Sequence, residues 1–266
     1  MPRFAANVST LYPEHGMIDR IGAAARDGFA AVEVQGPYGV DAKEFRRALD
    51  DAGVRLVLMN AAVGDFPGSE KGLAALPGHE RAFEASIQQT LDYACTVGAP
   101  RVHVMAGTPG PEVPHADALA AYERNLAHAS AAFRPHGIAA TIEPINPRDI
   151  PGYFLNRLPL AVEIINRLTD PQPALQFDFY HLQIIQGDLL RHFGRHLGLV
   201  GHVQIAGVPE RHEPDTGEVN YATVFSDLDR LRYAGWVGCE YRPAMAGPGG
   251  TSAGLGWLRR LGIPLV

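Results

Sequence analysis

Four residues raise the question of what this chain does: Glu143 in TIEPIN, Asp178 in QFDFYH, Gln204 in HVQIAG and Glu240 in GCEYRP. Each follows a short apolar run, and each carries a side-chain oxygen. A single acidic residue in such a place is ordinarily a helix N-cap or half of a surface ion pair. Four on successive runs are harder to obtain by chance. Three carboxylates brought together without a counter-charge repel one another and lose hydration. A divalent cation removes both penalties. Three carboxylate oxygens and one amide oxygen form a hard, oxygen-only set, which suits Mg²⁺ or Mn²⁺ rather than Zn²⁺. The expected metal ligands are therefore Glu143, Asp178, Gln204 and Glu240.

That grouping requires the four runs to be neighbouring strands. The candidate strands are FAANVS, AAVEVQ, VRLVLMN, RVHVMAG, IAATIEP, ALQFDF, GHVQIAG and VGCEYRP, with amphipathic stretches between them. MIDRIGAAARDG places apolar residues at Ile18, Ile21 and Ala25 and stops at Gly28. DAKEFRRALDDAG begins at Asp41, a good N-cap, has Glu44 placed for a capping box, and stops at Gly53. Strands alternating with helices imply parallel pairing through right-handed crossovers. Eight such units in 266 residues predict an α/β fold, a (β/α)8 TIM barrel forming a single domain over residues 1–266. An open doubly wound sheet would be favoured by a glycine-rich phosphate loop after the first strand, and NVSTLYPEHG is not one. In a barrel the carboxyl ends of the strands converge, and they bear the active site. The two longest connections, AAVGDFPGSEKGLAALPG and AGVPERHEPDTGEVN, follow strands three and seven at that end.

Other residues are weaker candidates on type and place alone. His181 stands three residues past Asp178, where a packed histidine is equally expected. Arg211, His212 and Glu213 lie in the long loop after strand seven, which reads first as solvated. His103 and Asn60 sit near strand ends. Glu33 would cap the rim or orient a neighbour. Cys239, beside Glu240, reads as structural.

Composition narrows the class. The chain is 46% hydrophobic and 20% charged, ordinary for a globular protein, with a formal charge of −6 and no basic block. That balance argues against nucleic acid as a partner. Two distant cysteines, Cys95 and Cys239, argue against a disulfide framework. No apolar run is long enough for a membrane span, and MPRFAANVST lacks the apolar core of a signal peptide, so a cytoplasmic location is expected.

The order of TIEPINPRDIPGYFL, QFDFYHLQ, HVQIAGVPERHEPDTGEVNY and GCEYRP, with NVSTLY at the start and GDFPGSEKG between, resembles the hydroxypyruvate isomerase family of the xylose-isomerase-like barrels. The resemblance spans essentially the whole chain. It implies a TIM barrel with a divalent metal on Glu143, Asp178, Gln204 and Glu240, and Glu143 and Glu240 as the catalytic acid/base pair. It further implies substrate contacts from His181 and Arg211, with Asp149 near another polar contact. Related ketose 3-epimerases usually carry His where this chain has Gln204, which favours the isomerase branch. The expected reaction interconverts hydroxypyruvate and 2-hydroxy-3-oxopropanoate (tartronate semialdehyde) through an enediolate. The alternatives are a 2-oxo-tetronate isomerase acting on four-carbon acids, a ketose 3-epimerase, a DNA-repair endonuclease of the same superfamily, and a non-catalytic sugar- or acid-binding barrel. The expected partners are a small hydroxy-oxo acid and further copies of the chain in a dimer or tetramer, without nucleic acid or membrane.

Overall fold

Each predicted strand alternates two kinds of residue, and closure of the sheet decides which kind turns inward. The computed structural model describes residues 2–263. Its parallel strands are β1 (Arg3–Asn7), β2 (Ala31–Val34), β3 (Arg55–Asn60), β4 (Arg101–His103), β5 (Ala139–Ile142), β6 (Ala174–Asp178), β7 (Val200–Ile205) and β8 (Trp236–Cys239). They pair in sequence order, and β8 closes on β1 to complete the expected eight-stranded barrel. The helices are α1 (Met17–Arg26), α2 (Ala42–Ala52), α3 (Glu80–Val97), α4 (His115–Phe133), α5 (Leu158–Arg167), α6 (Phe179–Ile185), α7 (Leu189–His196), α8 (Tyr221–Arg230), α9 (Gly250–Gly254) and α10 (Gly256–Arg260).

The larger apolar strand residues face the helices. Phe177 of β6 meets Phe193 of α7 edge-on at 5.2 Å. Phe4 of β1 packs against Phe225 of α8 and Trp257 of α10 in the same way. Because side chains alternate along a strand, Gln176 and Asp178 in β6, and Asn7 in β1, must point into the barrel. Glu33 in β2, His202 and Gln204 in β7 join them, all buried. The interior near the carboxyl ends is thus a polar layer. A small apolar cluster of Ala5, Ala31 and Val57 lies further toward the amino ends.

Local signals account for several boundaries. The Asp41 side chain accepts the Lys43 and Glu44 backbone N–H groups at 3.0 Å each, and Gly53 ends α2 in the left-handed conformation at φ 68°. Among the described hydrogen bonds Glu44 makes no return bond, so only half of the predicted capping box forms. One further expectation changes. Regular pairing in the fourth strand stops at His103, and Ala106 makes an isolated antiparallel bridge to Gly72. That approach requires glycine, because a Cβ on Gly72 would lie 2.3 Å from the Met105 carbonyl oxygen. DFYHLQ runs from β6 straight into a short helix: Asp178 caps α6 by accepting the Tyr180 N–H at 2.8 Å. The SAGLGWLRRLG stretch falls in two short helices, α9 and α10. No helix among the described residues is long and apolar enough to cross a membrane.

Candidate active site

The carboxyl ends of the strands surround a cavity of about 620 Å³, into which the loops after β3 and β7 also project. Glu143 follows β5 directly, Asp178 ends β6, Gln204 lies in β7 and Glu240 follows β8. All four are buried, at 1–4% exposure, although hydrated carboxylates ordinarily avoid such places.

Their free lone pairs point to a cation. Glu143 Oε2 accepts a hydrogen bond from Gln176 Nε2 at 3.0 Å, whereas Glu143 Oε1 is buried with no partner. Asp178 Oδ1 caps α6, whereas Asp178 Oδ2 is likewise buried without a hydrogen bond, with Arg211 Nη2 4.0 Å away. His181 Nε2 lies 3.8 Å from the first of these oxygens and 3.6 Å from the second. The three groups fall within 4.8 Å of one another and could hold a metal ion. An orphaned buried carboxylate oxygen is costly, and two facing each other are more so, so the residues present fit a divalent cation.

The part His181 plays follows from its other nitrogen. The Asn146 backbone N–H donates to His181 Nδ1 at 3.3 Å, and the Asn146 side-chain nitrogen is 2.6 Å from the same atom. Burial, with Arg211 and His103 nearby, holds the imidazole well below its ordinary pKa. The neutral ring that accepts at Nδ1 carries its proton at Nε2. With its proton at Nε2, His181 faces the carboxylates as a donor, which leaves Glu143 and Asp178 as the members of this group open to a metal ion.

Gln204 and Glu240 share the cavity, but their oxygens are engaged differently. Gln204 Oε1 accepts from Gln176 Nε2 at 2.6 Å, and Gln204 Nε2 donates to Glu33 Oε1 at 2.8 Å. Glu240 Oε1 accepts from Gln35 Nε2 and pairs with Arg211 Nη2 at 3.1 Å. Arg211 also donates from Nη1 to Asp149 at 3.1 Å, and its guanidinium lies 4.8 Å from the centroid of the Tyr180 ring. So Arg211, from a loop that looked solvated, turns inward, its side chain only 16% exposed. Its backbone takes φ 58°, held by its N–H to the Gly207 carbonyl at 2.8 Å and by the Arg242 N–H onto its own carbonyl at 2.7 Å. His212 goes elsewhere, with Nδ1 2.8 Å from the Arg242 carbonyl oxygen. Glu213 is buried against the Ala244 N–H.

The carboxyls respond to this crowding. Burial raises Glu143 well above the usual carboxylate range, and Glu240 and Asp178 raise it further. Burial lifts Glu240 to about 8 against the opposing pull of Arg211. It lifts Asp178 to about 6, again opposed by Arg211 and by the Tyr180 and His181 backbone N–H groups. Burial alone would lower Arg211, but Glu240, Asp178 and Asp149 hold it above its ordinary value. His103, 3.6 Å from Glu143 Oε2, is pushed down to about 3 by burial and by His202. Asn60 lines the cavity, and Cys239 is buried in the core.

The sequence reading passed over four residues in this layer: Asn7, Gln35, Gln176 and His202. Of the two places open to Glu33, capping the rim or orienting a neighbour, the structure has the second: it lies deep and accepts from Gln204 Nε2. Its Oε2 is 2.5 Å from His202 Nε2, and its Oε1 accepts from Asn7 Nδ2 at 2.9 Å. A signal was present: polar residues stand two positions apart in LQFDF and HVQIAG, so they share a face with the predicted ligands.

Comparisons with known proteins agree with this fold. A family model described as a xylose isomerase-like TIM barrel matches residues 21–261. The 2-oxo-tetronate isomerase of Cupriavidus necator is 50% identical over 97% of this chain and 98% of its own length. The hydroxypyruvate isomerase of Escherichia coli is 34% identical over 97% of this chain and 98% of its own. A crystal structure from Brucella melitensis, described as an AP endonuclease of family 2, superposes with a TM-score of 0.93. It is 40% identical and covers 98% of this chain and 99% of its own.

Proposed function

This chain belongs to the xylose isomerase-like TIM barrel family and is an isomerase of the hydroxypyruvate and 2-oxo-tetronate type; from that premise we propose that it moves a carbonyl between C2 and C3 of a short hydroxy-oxo acid, using Glu143 and Glu240 to transfer the proton. The observation that carries the proposal is the pair of buried glutamates on β5 and β8, lining one cavity with Arg211 and the His181 donor. Hydroxypyruvate and 2-oxo-tetronate differ only by a hydroxymethyl group on C3, so the same chemistry serves both. The identity to the Cupriavidus relative favours the four-carbon acid as the first substrate to test, with hydroxypyruvate second. A hydroxymethyl whose hydroxyl the pocket does not bind discriminates by only about 1–3 kcal/mol, and on that footing activity on both is expected.

The proton balance is simple. One glutamate takes the proton from C3, and the electron pair becomes the C2–C3 double bond of an enediolate. A proton returned to C2 and transfer of the C3 hydroxyl proton to the C2 oxygen complete the isomerisation. Two glutamates on different strands can serve successive carbons, and their raised pKa values let one hold a proton near neutral pH. The His181 Nε2–H and the Arg211 guanidinium are the donors for the substrate carboxylate and oxygens. Glu143 and Asp178, with Gln204 and Glu240 completing the set, would hold Mg²⁺ or Mn²⁺, and the ion would supply Lewis-acid stabilisation of the negative charge that develops on the substrate. The acidic cavity and the formal charge of −6 disfavour a phosphodiester substrate, whatever activity the Brucella protein has.

The test is proton NMR in deuterated water. Metal-stripped protein is incubated with each acid, with and without Mg²⁺ or Mn²⁺. Metal-dependent loss of the C3 proton, with the isomer appearing, is expected. Glu240→Gln should lower the rate about 100- to 10,000-fold. Turnover unimpaired in Glu240→Gln would refute the acid/base assignment, and inertness toward both acids would refute the function.

A further inference from the structure

Gln176 is buried beside Glu143 and Gln204 without being one of the expected ligands. It lies in β6 with Leu175 facing β5 and its own position registered on His202 of β7. It is 1% exposed. Its carbonyl end is fixed by the Thr141 hydroxyl, which donates to Gln176 Oε1 at 3.1 Å. That leaves the amino end facing the site, and both of its hydrogens are in use: Nε2 donates to Glu143 Oε2 at 3.0 Å and to Gln204 Oε1 at 2.6 Å. Gln204 cannot turn its amide over without loss, because its own Nε2 donates to the Glu33 carboxylate. Glu33 in turn accepts from Asn7 and lies against His202. Every amide in the series therefore has one favoured orientation, set by a hydroxyl at one end and a carboxylate at the other.

We infer that Gln176 is the positioning residue of Glu143: it engages one carboxylate oxygen and thereby aims the other at the reaction. The inference rests on the proposed function for its catalytic consequence. Among the described hydrogen bonds, that from Gln176 is the only one to the Glu143 carboxylate, and His103 stands back at 3.6 Å. Without it the carboxylate has no donor to set its rotation. The atom left free, Glu143 Oε1, is the one facing His181 Nε2 and the Asp178 oxygen without a hydrogen bond. The same amide orients Gln204, so a single side chain on the central strand aligns groups from β5 and β7. Residues that orient ligands in this way typically change metal affinity or activity 10- to 100-fold.

A double-mutant cycle between Gln176→Met and Glu143→Gln tests this, read by turnover and independently by Mn²⁺ affinity. Methionine keeps the length of the side chain and removes its donors. Gln176→Met alone is expected to lower kcat 10- to 100-fold with KM within about threefold, and to weaken Mn²⁺ binding by a similar factor. In the Glu143→Gln background both effects should be at least threefold smaller, because the group being positioned has changed; what remains is the part carried by Gln204. A loss equally large in both backgrounds would overturn the inference, since Gln176 would then act through the fold or through Gln204 alone. Unchanged kcat and Mn²⁺ affinity in Gln176→Met would overturn it outright. If the methionine variant does not fold, Gln176→Asn retracts the amide by one methylene and should reproduce the losses. A wild type inert toward both acids would refute the proposed function, while the cycle on Mn²⁺ affinity would still decide the role of Gln176.

Discussion

Removing the metal should make the protein less stable as the pH rises through neutrality. The unfolded chain ionises a glutamate near 4.5 and an aspartate near 3.8, whereas burial lifts Glu240 to about 8 and Asp178 to about 6 in the folded, metal-free protein. Between about pH 4 and 8 the folded state thus binds more protons than the unfolded one, and stability must fall as pH rises. The stability these protonated groups confer is fully present below pH 4 and lost by about pH 8. At about 1.4 kcal/mol per unit, the whole Glu240 difference corresponds to about 5 kcal/mol. Relaxation and water entry reduce what is realised, so we expect about 2–3 kcal/mol lost between pH 5 and 8. For a chain of this length that is about 5–10 °C in Tm. The assay is thermal unfolding of chelator-treated protein at pH 5, 6, 7 and 8, as a difference between wild type and Glu240→Gln. Surface titrations cancel in the difference, and the pull of Arg211 is already contained in the Glu240 value. Wild type should lose stability relative to the variant as pH rises, and Mn²⁺ should restore more at pH 8 than at pH 6. A flat difference profile, or one in which wild type gains with pH, would refute the reasoning.

Two further changes probe the residues around the site. Arg211→Lys keeps the charge but cannot bridge Asp149 and Glu240 at once; steady-state kinetics should show kcat/KM lower by about 100-fold, and a change under threefold would remove Arg211 from the site. Gly238→Ala should destabilise the protein by about 1–3 kcal/mol in thermal unfolding, because the new Cβ would lie 2.2 Å from Glu33 Oε2 and push that carboxylate off His202 and Gln204. An unchanged Tm would show that Glu33 can move freely.

The sequence by itself determined the strand–helix alternation, the barrel, and the four oxygen-bearing strand ends. These are local facts: a short apolar run followed by a polar residue and an amphipathic stretch specifies its element without reference to distant residues. The periodicity of LQFDF also marked Gln176 and Asp178 as sharing a face, but not which face was interior. In an ordinary half-buried strand the Phe177 face would be the core and the Gln176 face would meet water. Closure reverses that expectation: Phe177 packs outward on α7, and Gln176, Asp178 and Glu33 fill the barrel. Only the tertiary structure could bring Glu33 to His202 across 169 residues, or turn Arg211 inward from its loop onto Glu240. It also decided that Glu143 and Asp178 would each have one oxygen engaged and one left without a hydrogen-bond partner. That division depends on donors from neighbouring strands and loops, and no single stretch of sequence contains them.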